Sequence, residues 1–268
     1  MKRKTIILSV LFVLTTGMVS AQVFKNDELA ITKLEDRRWV VETADNSTMY
    51  IVEGKDRAML IDTGRKNEKL DSIIRLITQK PLLVVLTHAH GDHAGNIRFF
   101  NEIYIHPADT AMLDKTYKGK INLLKDGEIF DLGEKKIEVC HLPAHTPGSV
   151  VFLDREAGIV FSGDAFGSGQ VWLQMEPFSP MKTYIRSLNK MKKLIDKGIT
   201  KNYCGHYPYV KKPYDKSYID TMLKLAIAID KGAAPNPKPF TNGGNRWPNA
   251  LIVSEGEASI VYDPNHVK

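Results

Sequence analysis

The chain has 268 residues, 43% of them hydrophobic and 25% charged, with a formal charge of +6. This balance suits a soluble globular protein with a sizeable core and excludes a disordered chain or a small scaffold that depends on staples. Half of the charge belongs to Lys2, Arg3 and Lys4, so basicity is poor grounds for a nucleic-acid partner and none is expected.

Those three cations open the first recognisable segment. They precede an apolar run, Ile6 to Leu14, and the small residues Val19-Ser20-Ala21. Residues 1–21 therefore read as a secretory signal peptide cut after Ala21, and residues 22–268 as a single mature domain in the periplasm or outside the cell. An uncleaved membrane anchor is the alternative reading. The run is short for a bilayer span, and no cysteine stands near the cleavage point for a lipid anchor. No stable membrane anchor is expected after cleavage.

Strand-like runs follow at "RWVVET", "TMYIVEG" and "RAMLIDTG", divided by Asp45-Asn46 and Gly54-Lys55-Asp56. Leu70, Ile73, Ile74 and Ile77 share one face of a helix predicted over Lys66 to Thr78. "PLLVVLT" reads as a buried strand, and a short helix is expected from His93 to Phe100. "EIYIH" is a strand and Pro107 to Lys115 a helix. "GEIFDL", "KKIEVCHL", "SVVFLD" and "GIVFSGD" read as successive strands. Ser179 as N-cap and Pro180 at the first position open a helix that ends before Gly198. "TKNYCGH" is a strand, Lys216 to Lys231 the last long helix, and "ALIVSE" with "ASIVY" a terminal hairpin. The expected architecture has two sheets inside and helices outside. Cys140 and Cys204 end apolar stretches and are expected to be buried free thiols rather than a disulfide.

The chemistry concentrates where "PLLVVLT" ends. "THAHGDHAGN" holds His88, His90, Asp92 and His93. His88 and His90 leave one face of an extended backbone, and Gly91 is expected to let the chain bend before Asp92 and His93. Imidazole nitrogen and carboxylate oxygen are ligands for borderline metals such as zinc. Three further candidates follow strand-like runs: His145 in "LPAHTPGS", Asp164 in "FSGD" and His206 in "CGH". His106, His141 and His266 stand outside the pattern.

In this order the motifs resemble those of the metallo-β-lactamase superfamily, and "AMLIDTG" resembles its upstream strand and turn. The resemblance covers about Met49 to His206 and implies an α/β fold, a four-layer αββα sandwich, with a two-metal site on one edge. It implies His88, His90 and His145 as ligands of one ion and Asp92, His93 and His206 as ligands of the other. Asp164 would bridge them. The ions would be Zn2+, with Fe or Mn as alternatives that the same donors suit. A metal-bridging hydroxide would attack the substrate, with Asp92 as the catalytic residue orienting it. Asp62 would either accept from a ligand imidazole N–H or tighten the turn. Asp164 in "FSGD" resembles the superfamily's hydrolases of esters, thioesters, lactones and phosphodiesters. A β-lactamase acting on lactam amides is the alternative, and a di-iron redox or non-catalytic metal-binding member a further one. The expected partner is a small-molecule substrate. Trp172 and Phe178 in "GSGQVWLQMEPFS" either wall the substrate or pack beneath the next helix. Tyr207 either donates to an oxyanion, as its neighbour Tyr209 could, or packs.

Overall fold

A computed structural model describes residues 22–65, 67–242 and 246–268; the signal peptide expected over residues 1–21 lies outside the described residues. An eight-stranded sheet runs in chain order. Its strands are β1 (Gln22–Lys25), β2 (Leu29–Glu35), β3 (Arg38–Thr43), β4 (Thr48–Glu53), β5 (Ala58–Ile61), β6 (Leu82–Val85), β7 (Glu102–Ile105) and β8 (Lys120–Leu123). It is antiparallel as far as β5 and parallel from β5 to β8. The second sheet contains β9 (Ile129–Asp131), β10 (Lys136–His141), β11 (Val150–Asp154), β12 (Ile159–Gly163) and β14 (Lys201–Cys204), the last parallel to β12. A third, smaller sheet joins β13 (Val171–Trp172), β15 (Lys238–Pro239), β16 (Leu251–Glu255) and β17 (Ala258–Tyr262).

The period of two along each strand divides the core into layers. Tyr50, Val52, Met59 and Ile61 join Phe152, Ile159 and Phe161 between the two large sheets. Met49, Ile51 and Leu60 turn the other way, toward helix α1 (Leu70–Ile74) and the segment around Ile97. On the far side, Val151, Leu153 and Val160 pack under α3 (Met181–Asp196) and α4 (Lys216–Asp230). The result is helix, sheet, sheet, helix, with Cys140 and Cys204 buried as free thiols. Among the described residues no helix is long and apolar enough to cross a membrane.

Several elements depart from their expected form. The helix predicted over Lys66 to Thr78 shrinks to five residues, because Asn67 is tied through its backbone N–H to the Asn96 side chain and Lys69 takes a left-handed φ of 59°. Lys66 itself lies outside the described residues. The helix expected from His93 to Phe100 is a single turn, α2 (Gly91–Ala94), followed by a 3-10 turn at Ile97–Phe99. Pro107–Met112 is likewise a 3-10 helix. Pro180, not Ser179, caps α3; the Met181 N–H donates instead to the Val267 carbonyl, which leaves the buried Ser179 hydroxyl without a partner. Strands β1, β2 and β8 and the third sheet's β13 and β15 have no counterpart in the expected elements.

Candidate metal centre

The candidate metal ligands and Asp62 lie where the chain leaves a strand at one edge of the sandwich. Loops beyond the carboxyl ends of parallel strands are where α/β folds place their ligands. The β6 strand runs into Thr87 to His93, β12 into Asp164, β14 into His206 and β5 into Asp62. The turn from β10 to β11 supplies His145. The division within "HAHGDH" comes from α2: His90 is its extended N-cap and the helical turn carries Asp92 and His93. Gly91 sits in that helix, and a Cβ there would meet nothing within 4 Å, so the bend does not need the glycine. Gly205 is required instead, since a Cβ there would overlap the Asp164 carboxylate.

Two groups of ligand atoms converge. His88, His90 and His145 form one; Asp92, His93, Asp164 and His206 form the other, and within each group one donor atom per residue lies within 4.8 Å of the others. His90 Nδ1 stands 2.8 Å from His145 Nε2. Asp164 reaches both groups, with Oδ2 at 3.1 Å from His206 Nε2 and 3.8 Å from His145 Nε2, and Oδ1 at 3.6 Å from His93 Nε2. Ligands on one ion with bonds of about 2.0 Å stand about 3.3 Å apart in a tetrahedron, so these separations fit a metal.

The outer nitrogens fix which ring atom faces inward. A carbonyl or carboxylate only accepts, so the nitrogen beside it carries the proton. His145 Nδ1 donates to the Trp172 carbonyl at 2.6 Å, His206 Nδ1 to the Asn46 carbonyl at 3.0 Å, and His93 Nδ1 to Asp62 Oδ2 at 2.9 Å. Thr87 extends the last contact: its hydroxyl donates to Asp62 at 2.8 Å and stands 3.0 Å from His88 Nδ1. When neutral, each of these rings therefore presents Nε2 as a lone pair. His88 Nε2 and His93 Nε2 are buried with no hydrogen-bond partner, an arrangement that costs free energy unless something electrophilic meets it. Asp62 holds the His93 ring while its φ of 64° makes the turn.

The electrostatics point the same way. Burial opposes charge on His93 and His206, yet Asp164 overrides it, lifting His93 well above its ordinary value and His206 to about 10. Burial and neighbouring imidazoles push His88 down and His90 to about 3. Burial disfavours charge on Asp92 and Asp164, but charges on His93 and His206 hold both carboxyls low. One group of donors thus attracts positive charge and the other is neutral.

The residues offered for substrate contact sit less centrally. The Trp172 ring meets Phe240 and Trp247 at 5.3 and 5.4 Å, and its backbone carbonyl, not its side chain, touches the cluster. Phe178 stacks on His266 at 4.1 Å. Tyr207 packs against Tyr203 at 6.0 Å, while the exposed Tyr209 is the tyrosine beside His206, at 5.9 Å. Thr87, Asn46 and the Trp172 carbonyl complete the centre without standing out in the sequence. A hydroxyl directly before His88 was the one signal available; backbone carbonyls carry none.

Comparison with known proteins agrees with this geometry. The family described as "Metallo-beta-lactamase superfamily" matches residues 43–206. The chain is 27% identical to acyl-coenzyme A thioesterase MBLAC2 of Gallus gallus over 62% of this chain and 74% of that protein. It is 30% identical to TTHA1623, solved in a di-iron-bound form, with a TM-score of 0.51 over 60% of this chain and 87% of that one. A metallo-beta-lactamase from Pontibacter korlensis superposes with a TM-score of 0.60 at 22% identity, over 75% of this chain and 99% of that one.

Proposed function

The chain belongs to the metallo-beta-lactamase superfamily and is a metal-dependent hydrolase of that fold; from that premise we propose that it hydrolyses acyl thioesters or related esters with two divalent cations, zinc in the first place. The observation that carries this reading is Asp164, a single carboxylate with oxygens facing both donor groups. His88, His90 and His145 would hold one cation, Asp92, His93 and His206 the other, and Asp164 would serve both. When bound, the cations supply Lewis acidity, which lowers the pKa of coordinated water toward about 7 and polarises the acyl oxygen. The chain's own residues do the rest. Asp62, Thr87, Asn46 and Trp172 hold His93, His88, His206 and His145 in the tautomers that present Nε2. Asp92, 30% exposed at its side chain, accepts a hydrogen bond from the attacking water and orients it. Tyr209, exposed and beside the His206 ring, is the side chain placed to meet the acyl group.

The likeness to an acyl-coenzyme A thioesterase supports the thioester as substrate class. The likeness to a β-lactamase structure carries the fold and no substrate. The di-iron relative supports iron as the second reading of the metal. Elemental analysis of the purified chain distinguishes zinc from iron. A panel of a long-chain acyl-CoA, S-lactoylglutathione, a lactone, a phosphodiester and a lactam distinguishes the substrates. Thioester turnover that a chelator removes and zinc restores is the expected result; turnover of the lactam alone would overturn the proposal. We further propose that the protein is exported, on the strength of its basic, apolar and small-residue start, and N-terminal sequencing of the periplasmic form should read Gln22.

A further inference from the structure

Asp109 belongs to none of the metal motifs, yet it is fully buried and ties together the two loops that carry His88, His90 and His145. It sits in the 3-10 helix Pro107–Met112, beyond the end of β7. Its Oδ1 accepts from the Gly148 N–H at 2.7 Å. Its Oδ2 accepts from the Thr146 hydroxyl at 2.7 Å and from the Ala89 N–H at 3.3 Å. Ala89 lies between His88 and His90, and Thr146 follows His145. One carboxylate thus holds the middle of one donor pair and the residues just after the third donor.

The surroundings are built for this contact. A Cβ on Gly148 would overlap Asp109 Oδ1, so the glycine is what lets the turn close on the carboxylate. Ser149 completes the turn by accepting from the Thr146 N–H at 3.0 Å. A second strut lies outside the first: His106, the N-cap of the same 3-10 helix, stacks on His141 at 3.8 Å, and His141 Nε2 donates to the Pro147 carbonyl at 2.9 Å. Asp109 itself has no cation within the contacts it makes. Its three donors are two backbone amides and a hydroxyl, the partners of a group that sets backbone positions.

We propose that Asp109 is a positioning residue that clamps the His145 turn onto the His88–His90 segment and so assembles the three-imidazole donor group. This rests on the two-cation reading for its consequence in metal binding, but not for the clamp itself. The other donor group, on α2, β12 and β14, does not touch Asp109, so the effect is selective.

The test is Asp109→Asn. The amide keeps one acceptor oxygen and turns the other into a donor, so either the Gly148 N–H or the Ala89 and Thr146 pair must face an N–H. Amide hydrogen exchange on the metal-free full chain reads the clamp directly. Losing a hydrogen bond to a charged acceptor predicts roughly 10- to 100-fold faster exchange at Ala89 or Gly148, whichever faces the amide N–H, with β11 and β12 amides unchanged. Zinc titration followed by elemental analysis reads the consequence: the variant retains one ion per chain under conditions where the wild type retains two, as expected when a supporting contact weakens an ion by about 10- to 100-fold. Unchanged exchange at both amides overturns the proposal, as does equal loss of both ions. If the wild type itself fails to bind two ions, the two-cation reading falls and the exchange data alone decide the clamp. Should Asp109→Asn not fold, Thr146→Val removes one donor and leaves the carboxylate; accelerated exchange in the turn supports the clamp, and wild-type exchange with two ions retained overturns it.

Discussion

The sandwich buries charge at both ends of its strands, and the two ends handle it in opposite ways. Arg38 opens β3 and Asp154 closes β11, so they meet between the sheets at the end away from the histidines. Every strong group there is answered within the chain: Arg38 Nε donates to Asp154 Oδ2 at 3.2 Å, Nη1 to the Asp36 carbonyl at 3.0 Å, and Asp154 Oδ1 accepts from Ala157 at 3.1 Å. At the other end the outer ring nitrogens are answered, whereas two of the inner ones, on His88 and His93, have no hydrogen-bond partner. His88 Nε2 and His93 Nε2 face a shared space, with carboxylates at 3.6 and 3.7 Å from the second. A completed buried network stabilises or specifies a fold, whereas a convergent incomplete one marks where something else binds.

The largest effect should come from the incomplete end. Asp164→Ala removes the oxygens that face both donor groups, and should lower kcat/KM on the order of 10³-fold, taking several kcal/mol as the contribution of a metal centre. Bound metal, read by elemental analysis, should fall with it. A variant that keeps full turnover would dissolve the distinction between the two ends. Arg38→Ala should act on stability instead. It leaves Asp154 buried and unpaired, which costs about 3–5 kcal/mol, seen as a lower denaturation midpoint. The folded fraction should retain wild-type kcat, because the lesion lies at the far end of the strands. A fall in kcat without a fall in stability would show that the two ends are coupled.

The sequence made the incomplete end more legible than the complete one. His88, His90, Asp92 and His93 crowd one short stretch, and side chains of that type have few other reasons to cluster. Arg38 and Asp154 are 116 positions apart, and nothing in either neighbourhood announces the other. The long helices and buried strands were readable because their apolar residues repeat at 3.6 or run continuously. The strands β1 and β8 were not, since both are exposed edge strands with mixed polar composition. Asp109 was missed for a similar reason: its partners are two amide protons and one hydroxyl, recognisable only once the chain has folded. Gly91 was misjudged because a glycine inside a histidine cluster suggests a turn, whereas the backbone there is helical.

Asp62→Asn tests the boundary between completed and incomplete groups, since Asp62 belongs to the completed outer layer but acts through His93. The amide can still accept from Thr87, but it cannot hold His93 Nδ1–H as a carboxylate does. Metal affinity should fall about 10- to 100-fold, measured by competition with a chelator, with a smaller loss of stability than Arg38→Ala causes. Stability loss as large as that, with metal affinity intact, would place Asp62 with Arg38 and Asp154 as a purely structural group.

The smallest effect expected is a pH dependence outside both ends. Burial first, and then the stacked ring of His141, push His106 down to about 4. Its ordinary value is near 6.5, so the unfolded chain binds a proton more readily than the folded one. Stability should therefore be unaffected by His106 above pH 6.5 and should decline as the pH falls from 6.5 toward 4. His106→Asn retains an acceptor for the Ala108 N–H and removes the titration. Comparing denaturation of the metal-free wild type and this variant at pH 7 and pH 5 cancels the contribution of groups that do not touch His106. The wild type should lose more stability than the variant over that interval. Equal losses would mean that the stacked pair shares its proton in the folded state, and that the strut it forms beside Pro147 is indifferent to charge.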